Sequence, residues 1–150
     1  MIKKAFTLIE VLLIVAIIAI LAGIVILAVD PSIRTSDQSN AQRVADVNTV
    51  ATAVYQYAVD NPGILPPSVN ELEDGIPTEV CNTSFKSQPE CDDLVDLSVL
   101  VQDNYLASIP SDPSVSPRND GAGYQIVRTG DSITVLAPLA IDGEVISVTR

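Results

Sequence analysis

Polarity is distributed unevenly along this chain. Val11 to Val29 are nineteen consecutive apolar or glycine positions, with Glu10 directly in front and Asp30 the first charge behind. At 1.5 Å per residue such a run makes about 28 Å of helix, close to the roughly 30 Å hydrocarbon layer of a bilayer. It is too long for an ordinary cleavable signal core, and "AVDPSIRTSD" behind it offers no small-x-small site with a clear mature start. Lys3 and Lys4 precede the run and favour a cytoplasmic N-terminus, with the remainder sent outward. The pattern predicts a signal anchor followed by an exported domain.

The period then changes. Val44, Val47, Ala51, Val54 and Ala58 recur at spacings of three and four, one apolar stripe of an amphipathic helix that Asn40 or Ala41 would extend backwards. Arg34, Asp37, Arg43 and Asp46 fall on other faces, at spacings suited to mild side-chain pairing. "DNPG", Asp60 to Gly63, is a stop signal. The two segments together predict one helix of about fifty residues, roughly 75–80 Å long, bare in its first half and packed on a head in its second. Gly23 and Pro31 are its weak points. Glycine costs about 1 kcal/mol against alanine, and proline removes a donor and clashes one turn back, so a kink is expected near Asp30–Pro31.

Nine of the ten prolines follow Asn61. "NPGILPPSVNELEDGIPTEV" reads as an extended surface connector, and a short helical turn is expected around Asp92–Val101. The last third alternates with period two. Tyr124–Arg128 and Ser132–Ala137 form a predicted hairpin joined at "TGD", and Glu144–Arg150 is a third strand after the Asp142–Gly143 turn. The expectation is an α+β chain, with an amphipathic helix over 31–60 and a head over 61–150. In the head, a three-stranded antiparallel sheet would cover the stripe.

Composition narrows the chemistry. The 150 residues suit one domain and contain no histidine, which removes the commonest general base, the commonest metal ligand and every Ser-His or Cys-His pair. No Gly-rich phosphate loop or G-x-S-x-G elbow is present, so catalysis is not expected. Eight basic residues face 19 acidic ones, for a formal charge of −11. The basic residues beyond Lys4 form no run, so nucleic acid is not an expected partner.

Cys81 and Cys91 lie ten positions apart. In an exported protein they read as one disulfide closing a short surface loop, worth roughly 2–3 kcal/mol through the unfolded state. In a cytoplasmic protein they would be two free thiols. Carboxylates cluster at Glu71, Glu73 and Asp74 and again at Glu90, Asp92, Asp93 and Asp96, while Asp112, Asp120 and Asp131 flank the predicted strands. Calcium takes oxygen ligands from such loops, although EF-hand spacing is absent. A solvated acidic surface is the favoured reading, no metal site is assigned, and calcium is the one cofactor left open.

Glu10 is not explained by an anchor alone, because an acid costs about 2.5–3.5 kcal/mol at the bilayer centre and less at its edge. "KKAFTLIE" resembles the processing site of type IV prepilins: a basic leader with Lys3 and Lys4, small Ala5, then Phe6, and Glu10 four residues on. The family usually carries glycine where this chain has Ala5. The resemblance implies a pilin fold and cleavage by a prepilin peptidase between Ala5 and Phe6, with residues 1–5 as leader. N-methylation of Phe6 would follow, and residues 6–30 would serve first as membrane segment and then as filament-core helix. It further implies handling by the pilus assembly machinery and polymerisation into an extracellular helical homo-oligomer. In that filament the new Phe6 ammonium of one subunit would pair with Glu10 of a neighbour, and the segment from Gly23 to Ser32 would lose helix on assembly. Breaking such a pair in a low-dielectric core is strongly destabilising, so the pair would set subunit register. "YL..IP.DP" followed by "GY" also resembles pilin and pseudopilin heads. Two other readings fit: a pseudopilin of a type II secretion-like system, and a monomeric, membrane-anchored exported binding domain in which Phe6 never becomes a free terminus.

Overall fold

The computed structural model describes residues 7–28, 31–83, 91–116 and 118–150, with side chains over 7–22 and, within those ranges, from Asp37 onward. The chain divides into two compact units, Met1–Thr35 and Ser36–Arg150.

In the first unit, helix α1 runs from Leu8 to Ala28. Every described side chain from Thr7 to Ala22 is exposed. Over those described side chains no helix is long and apolar enough to cross a membrane, and the helical backbone continues beyond them to Ala28. Gly23 lies inside α1; a penalty of about 1 kcal/mol is small against the hydrogen bonds of a helix this long. The expected single helix is described as two elements, α1 and α2 (Pro31–Asp60). The expected kink falls in part on residues 29–30, outside the described residues.

The second unit has its own core. Between Ser36 and Asp60, the inward face of α2 carries Asn40, Arg43, Val47, Val50, Ala51 and Val54, all buried. The expected stripe was correct from Val47 to Val54 and in its backward extension to Asn40, and wrong at Val44, which is 44% exposed while Arg43 takes the inward position beside it. The stripe also continues through Val50 and Ala53, at most 2% exposed.

The sheet has four antiparallel strands in the order β1 (Thr78–Cys81), β2 (Gly121–Thr129), β3 (Ser132–Leu136) and β4 (Ser147–Thr149). The expected β2–β3 hairpin is present, with its first strand beginning earlier, at Gly121, and with Thr129 opposite Ser132. Gly130 supplies the positive φ of the turn between them, a conformation that costs glycine little. Two expectations are corrected. The third strand is Ser147–Thr149 rather than Glu144–Arg150, and β1 lies inside what reads as a connector. The connector also contains the short helix α3 (Pro67–Asn70). The expected helical turn is shifted to α4 (Ser98–Gln102), because residues 94–96 run beside β1 instead. Val80 bridges Val95 in parallel, with Cys81 N–H donating to Val95 O at 2.9 Å and Val95 N–H donating to Glu79 O at 2.8 Å. Val80, Val95, Leu97, Leu100, Tyr124, Ile126, Ile133 and Val135 complete the core with the α2 face.

Candidate functional site

The residues singled out for processing and assembly concentrate at the start of the chain. Ala5 and Phe6 lie outside the described residues. Glu10 lies in the first turn of α1, exposed. Its backbone N–H donates to Thr7 O at 3.1 Å and to Thr7 Oγ1 at 3.4 Å, and Val11 N–H donates to Thr7 O at 3.3 Å. Thr7 therefore caps the helix, and "TLIE" has the spacing of a capping box, with the acid at the third helical position. A carboxylate there also faces the positive end of the helix dipole, an arrangement worth about 0.3–1 kcal/mol at an exposed site. Sequence reasoning missed Thr7, although its signal, Thr-x-x-Glu before an apolar run, is plain.

Behind Glu10, α1 has no polar face. Leu8, Ile9, Leu12, Leu13, Ile17, Ile18, Ile20 and Leu21 point around the whole helix and are all between 48% and 79% exposed. Each such side chain gains about 1.5–3 kcal/mol on full burial. A helix apolar on every side is stable only where lipid or other helices surround it.

The second cluster lies in the Ser36–Arg150 unit and joins α2 to three distant segments. Arg43 Nε donates to Asp112 Oδ2 at 2.6 Å and Nη2 donates to Asp112 Oδ1 at 3.0 Å, a bidentate pair with both side chains fully buried. Nη2 also donates to Ser114 Oγ at 2.7 Å, and Nη1 to Asn40 Oδ1 at 2.9 Å. Asn40 Nδ2 donates in turn to Ile141 O at 3.0 Å. Ser114 N–H donates to Asp112 Oδ1 at 2.7 Å. On the neighbouring turn of α2, Asp46 Oδ2 accepts the Tyr124 hydroxyl at 2.7 Å.

The charge states follow from these contacts. The bond to Asp112, opposed by burial, raises Arg43 above the ordinary arginine value. Burial alone would push the Asp112 carboxyl up, but hydrogen bonds from Arg43 and Ser114 outweigh it and hold the group below its ordinary value. Burial and then the bond to Asp46 push the Tyr124 phenol far up. Asp112 is thus buried and bound to an arginine, which corrects its reading as part of a solvated acidic surface. Arg43 and Asp46, read as pairing on solvent-facing sides of the helix, instead lock the helix to the head.

Gly123 shows how closely the 110–115 loop sits on β2. Its φ is +81°, and an added Cβ would come within 2.7 Å of both Asp112 Cβ and Val115 Cγ2. Cys81 and Cys91 are joined as a disulfide with Cα atoms 5.5 Å apart, tying the end of β1 to the segment that returns alongside it. Among the described residues, no group of three or more Cys, Asp or Glu side chains could hold a metal ion.

Residues 1–26 match the prokaryotic N-terminal methylation motif. That motif is the class III signal of type IV pilins and pseudopilins, and it implies processing by a prepilin peptidase from a membrane-anchored precursor. No curated protein and no solved structure matches the chain.

Proposed function

We propose that this chain is the structural subunit of a type IV pilus: a non-enzymatic protein cut between Ala5 and Phe6, methylated at Phe6 and polymerised through α1 into an extracellular filament. The observation that carries the reading is the coincidence of the methylation motif over residues 1–26 with a helix that exposes apolar side chains in every direction. Before assembly that helix needs lipid, and its 21 residues at 1.5 Å each give about 31 Å, the length a bilayer accommodates. After assembly it needs neighbouring copies.

Cleavage changes the charge at the helix entrance. The Phe6 nitrogen passes from a neutral amide to an ammonium, one residue before the Thr7 cap. A cation at a helix N-terminus opposes the dipole, and Glu10 of a neighbour offers it a counter-charge when helices pack. N-methylation leaves that charge in place. The pair contributes little net affinity but penalises any stagger that leaves either member unpaired, so it selects register.

N-terminal mass spectrometry of sheared surface material tests the reading. The expected first residue is methylated Phe6. Intact Met1 in assembled material would sink the proposal, and an assembled form confined to the periplasm or cell wall would instead identify a secretion pseudopilus. Glu10→Ala should still enter the membrane and be cut, but yield little filament.

A further inference from the structure

Three Asp-Gly pairs occur in the chain: Asp74–Gly75, Asp120–Gly121 and Asp142–Gly143. Each is open in principle to one self-reaction, because glycine has no side chain to shield its amide nitrogen from the neighbouring carboxyl. The fold holds two of them shut. Asp74 Oδ1 accepts the Gly130 N–H at 2.7 Å, and the Gly75 N–H donates to Arg128 O at 2.7 Å. Both reacting groups are therefore engaged. Asp120 directly precedes β2, and its carbonyl accepts the Asn82 N–H at 2.6 Å. Gly121 pairs with Cys81 across the sheet, and the Glu79 carboxylate lies where a Cβ on that glycine would stand.

Asp142–Gly143 is different. It forms the centre of the Ile141–Glu144 turn, with Glu144 N–H donating to Ile141 O at 3.3 Å. Both residues are exposed. Among the described residues, nothing bonds to the Asp142 carboxylate or carbonyl, or to the Gly143 N–H. An added Cβ on Gly143 would meet nothing within 4 Å. The backbone is also set for the reaction. Asp142 has φ +60° and Gly143 φ +74°, the pattern of a type I′ turn. A type II′ turn keeps the first positive φ and differs by a flip of the central peptide, to a ψ of about −120° at that residue. Glycine at the second position takes either sign of φ at little cost. In the flipped turn the Gly143 nitrogen eclipses Asp142 Cβ and comes within reach of Cγ. Neither Asp74 nor Asp120 has a positive φ.

We infer that Asp142 is a self-modification site, converted through a cyclic imide with Gly143 to an isoaspartyl residue. The Gly143 nitrogen bonds to Asp142 Cγ and gives up its proton, and the hydroxyl of the protonated carboxyl leaves as water. Water then adds at one of the two imide carbonyls. Opening at Cγ restores aspartate. Opening at the main-chain carbonyl leaves the chain running through Cβ and Cγ and frees a main-chain carboxylate. One water is lost and one regained, with no redox change. The product carries one extra main-chain carbon beside Ile141, whose N–H and carbonyl hold the Asn40 amide at 3.2 and 3.0 Å. The modification therefore loosens the attachment of α2 at that end. It needs no partner and does not depend on the filament reading.

The test ages the purified full chain in detergent at neutral pH in heavy-oxygen water. Peptides are then mapped by mass spectrometry with electron-transfer fragmentation, which separates isoaspartate from aspartate. Heavy oxygen and isoaspartate should accumulate at Asp142 about tenfold or more faster than at Asp74 or Asp120, which must first break hydrogen bonds. In concentrated urea the three sites should react within about threefold of one another, once the fold no longer distinguishes them. Asp142→Asn should reach the same imide and the same isoaspartyl product, with ammonia leaving in place of water. Equal rates at the three sites in the folded chain, or an unlabelled Asp142, would overturn the inference. Amide hydrogen exchange at Ile141 should be faster in the aged chain than in the fresh one. Unchanged exchange there would overturn the link to α2.

Discussion

The helix α1 and the Ser36–Arg150 head solve the same problem in opposite ways. The head folds apolar residues inward, so Val47, Val54, Leu97, Leu100, Ile126 and Val135 have no exposure at all. Among the described side chains of α1, Leu8 to Ala22, none is buried. The head has a core of its own, whereas the described side chains of α1 have none. Under the proposed function, hydrophobic residues carry two meanings in one sequence, folding in the head and association in α1. The stability of the head should be indifferent to changes in α1, while association should depend on them.

The largest expected effect tests how self-contained the head is. Arg43→Met leaves Asp112 buried without its counter-charge and should lower unfolding free energy by about 3–5 kcal/mol in urea titrations. Adding Asp112→Leu should recover most of that loss, because an apolar pair no longer needs the clasp. If Arg43→Met melted like the parent, the buried pair would not be a structural element.

Replacing Cys81 and Cys91 by Ser removes the tie between β1 and its returning neighbour, and should cost about 2–3 kcal/mol by the same measurement. Tyr124→Phe should cost about 1–2 kcal/mol, since it strips the donor from a half-buried carboxylate. Tyr124 also gives the parent a pH signature. Its folded pKa is raised, so its contribution is fully present below the ordinary phenol value near 10 and is lost as pH climbs through the folded value. Ultraviolet titration should show one tyrosine that ionises only as the head unfolds. Asp112 has the opposite sign. Its folded pKa is depressed, so its contribution is present above about pH 4 and is lost as acid takes the pH down through the folded value.

The smallest effect sharpens the contrast most. Ile14→Ala, at an exposed position of α1, should change head unfolding by less than about 0.5 kcal/mol while measurably reducing assembled material. A head destabilised by that change would erase the distinction between the two regions.

Legibility in the sequence follows the same division. The α1 helix was readable because its signal is continuous: nineteen apolar positions need no knowledge of any partner. The β2–β3 hairpin was readable because alternation and the "TGD" turn are local. Strand β1 escaped because "TEVC" is only four residues long, set in a proline-rich stretch, and its partners in β2 lie forty or more positions away. Arg43 was misplaced for a related reason. A charged residue on a helix reads as solvent-facing unless its counter-charge is visible, and Asp112 lies 69 positions downstream. Val44 was drawn into the stripe because it is apolar, when the inward positions at that end of the helix belong to Asn40 and Arg43.

The Arg43 clasp also has a consequence in time. A chain is made from its N-terminus, so α2 emerges long before Asp112 and Ser114, and its Asn40 amide waits for Ile141, 101 residues later. Until almost the last residue has appeared, α2 carries an arginine and an amide poised for an interior that does not yet exist. The helix that begins the head is therefore among the last of its elements to be fully satisfied, and a head cut short before residue 141 would leave that end of α2 open.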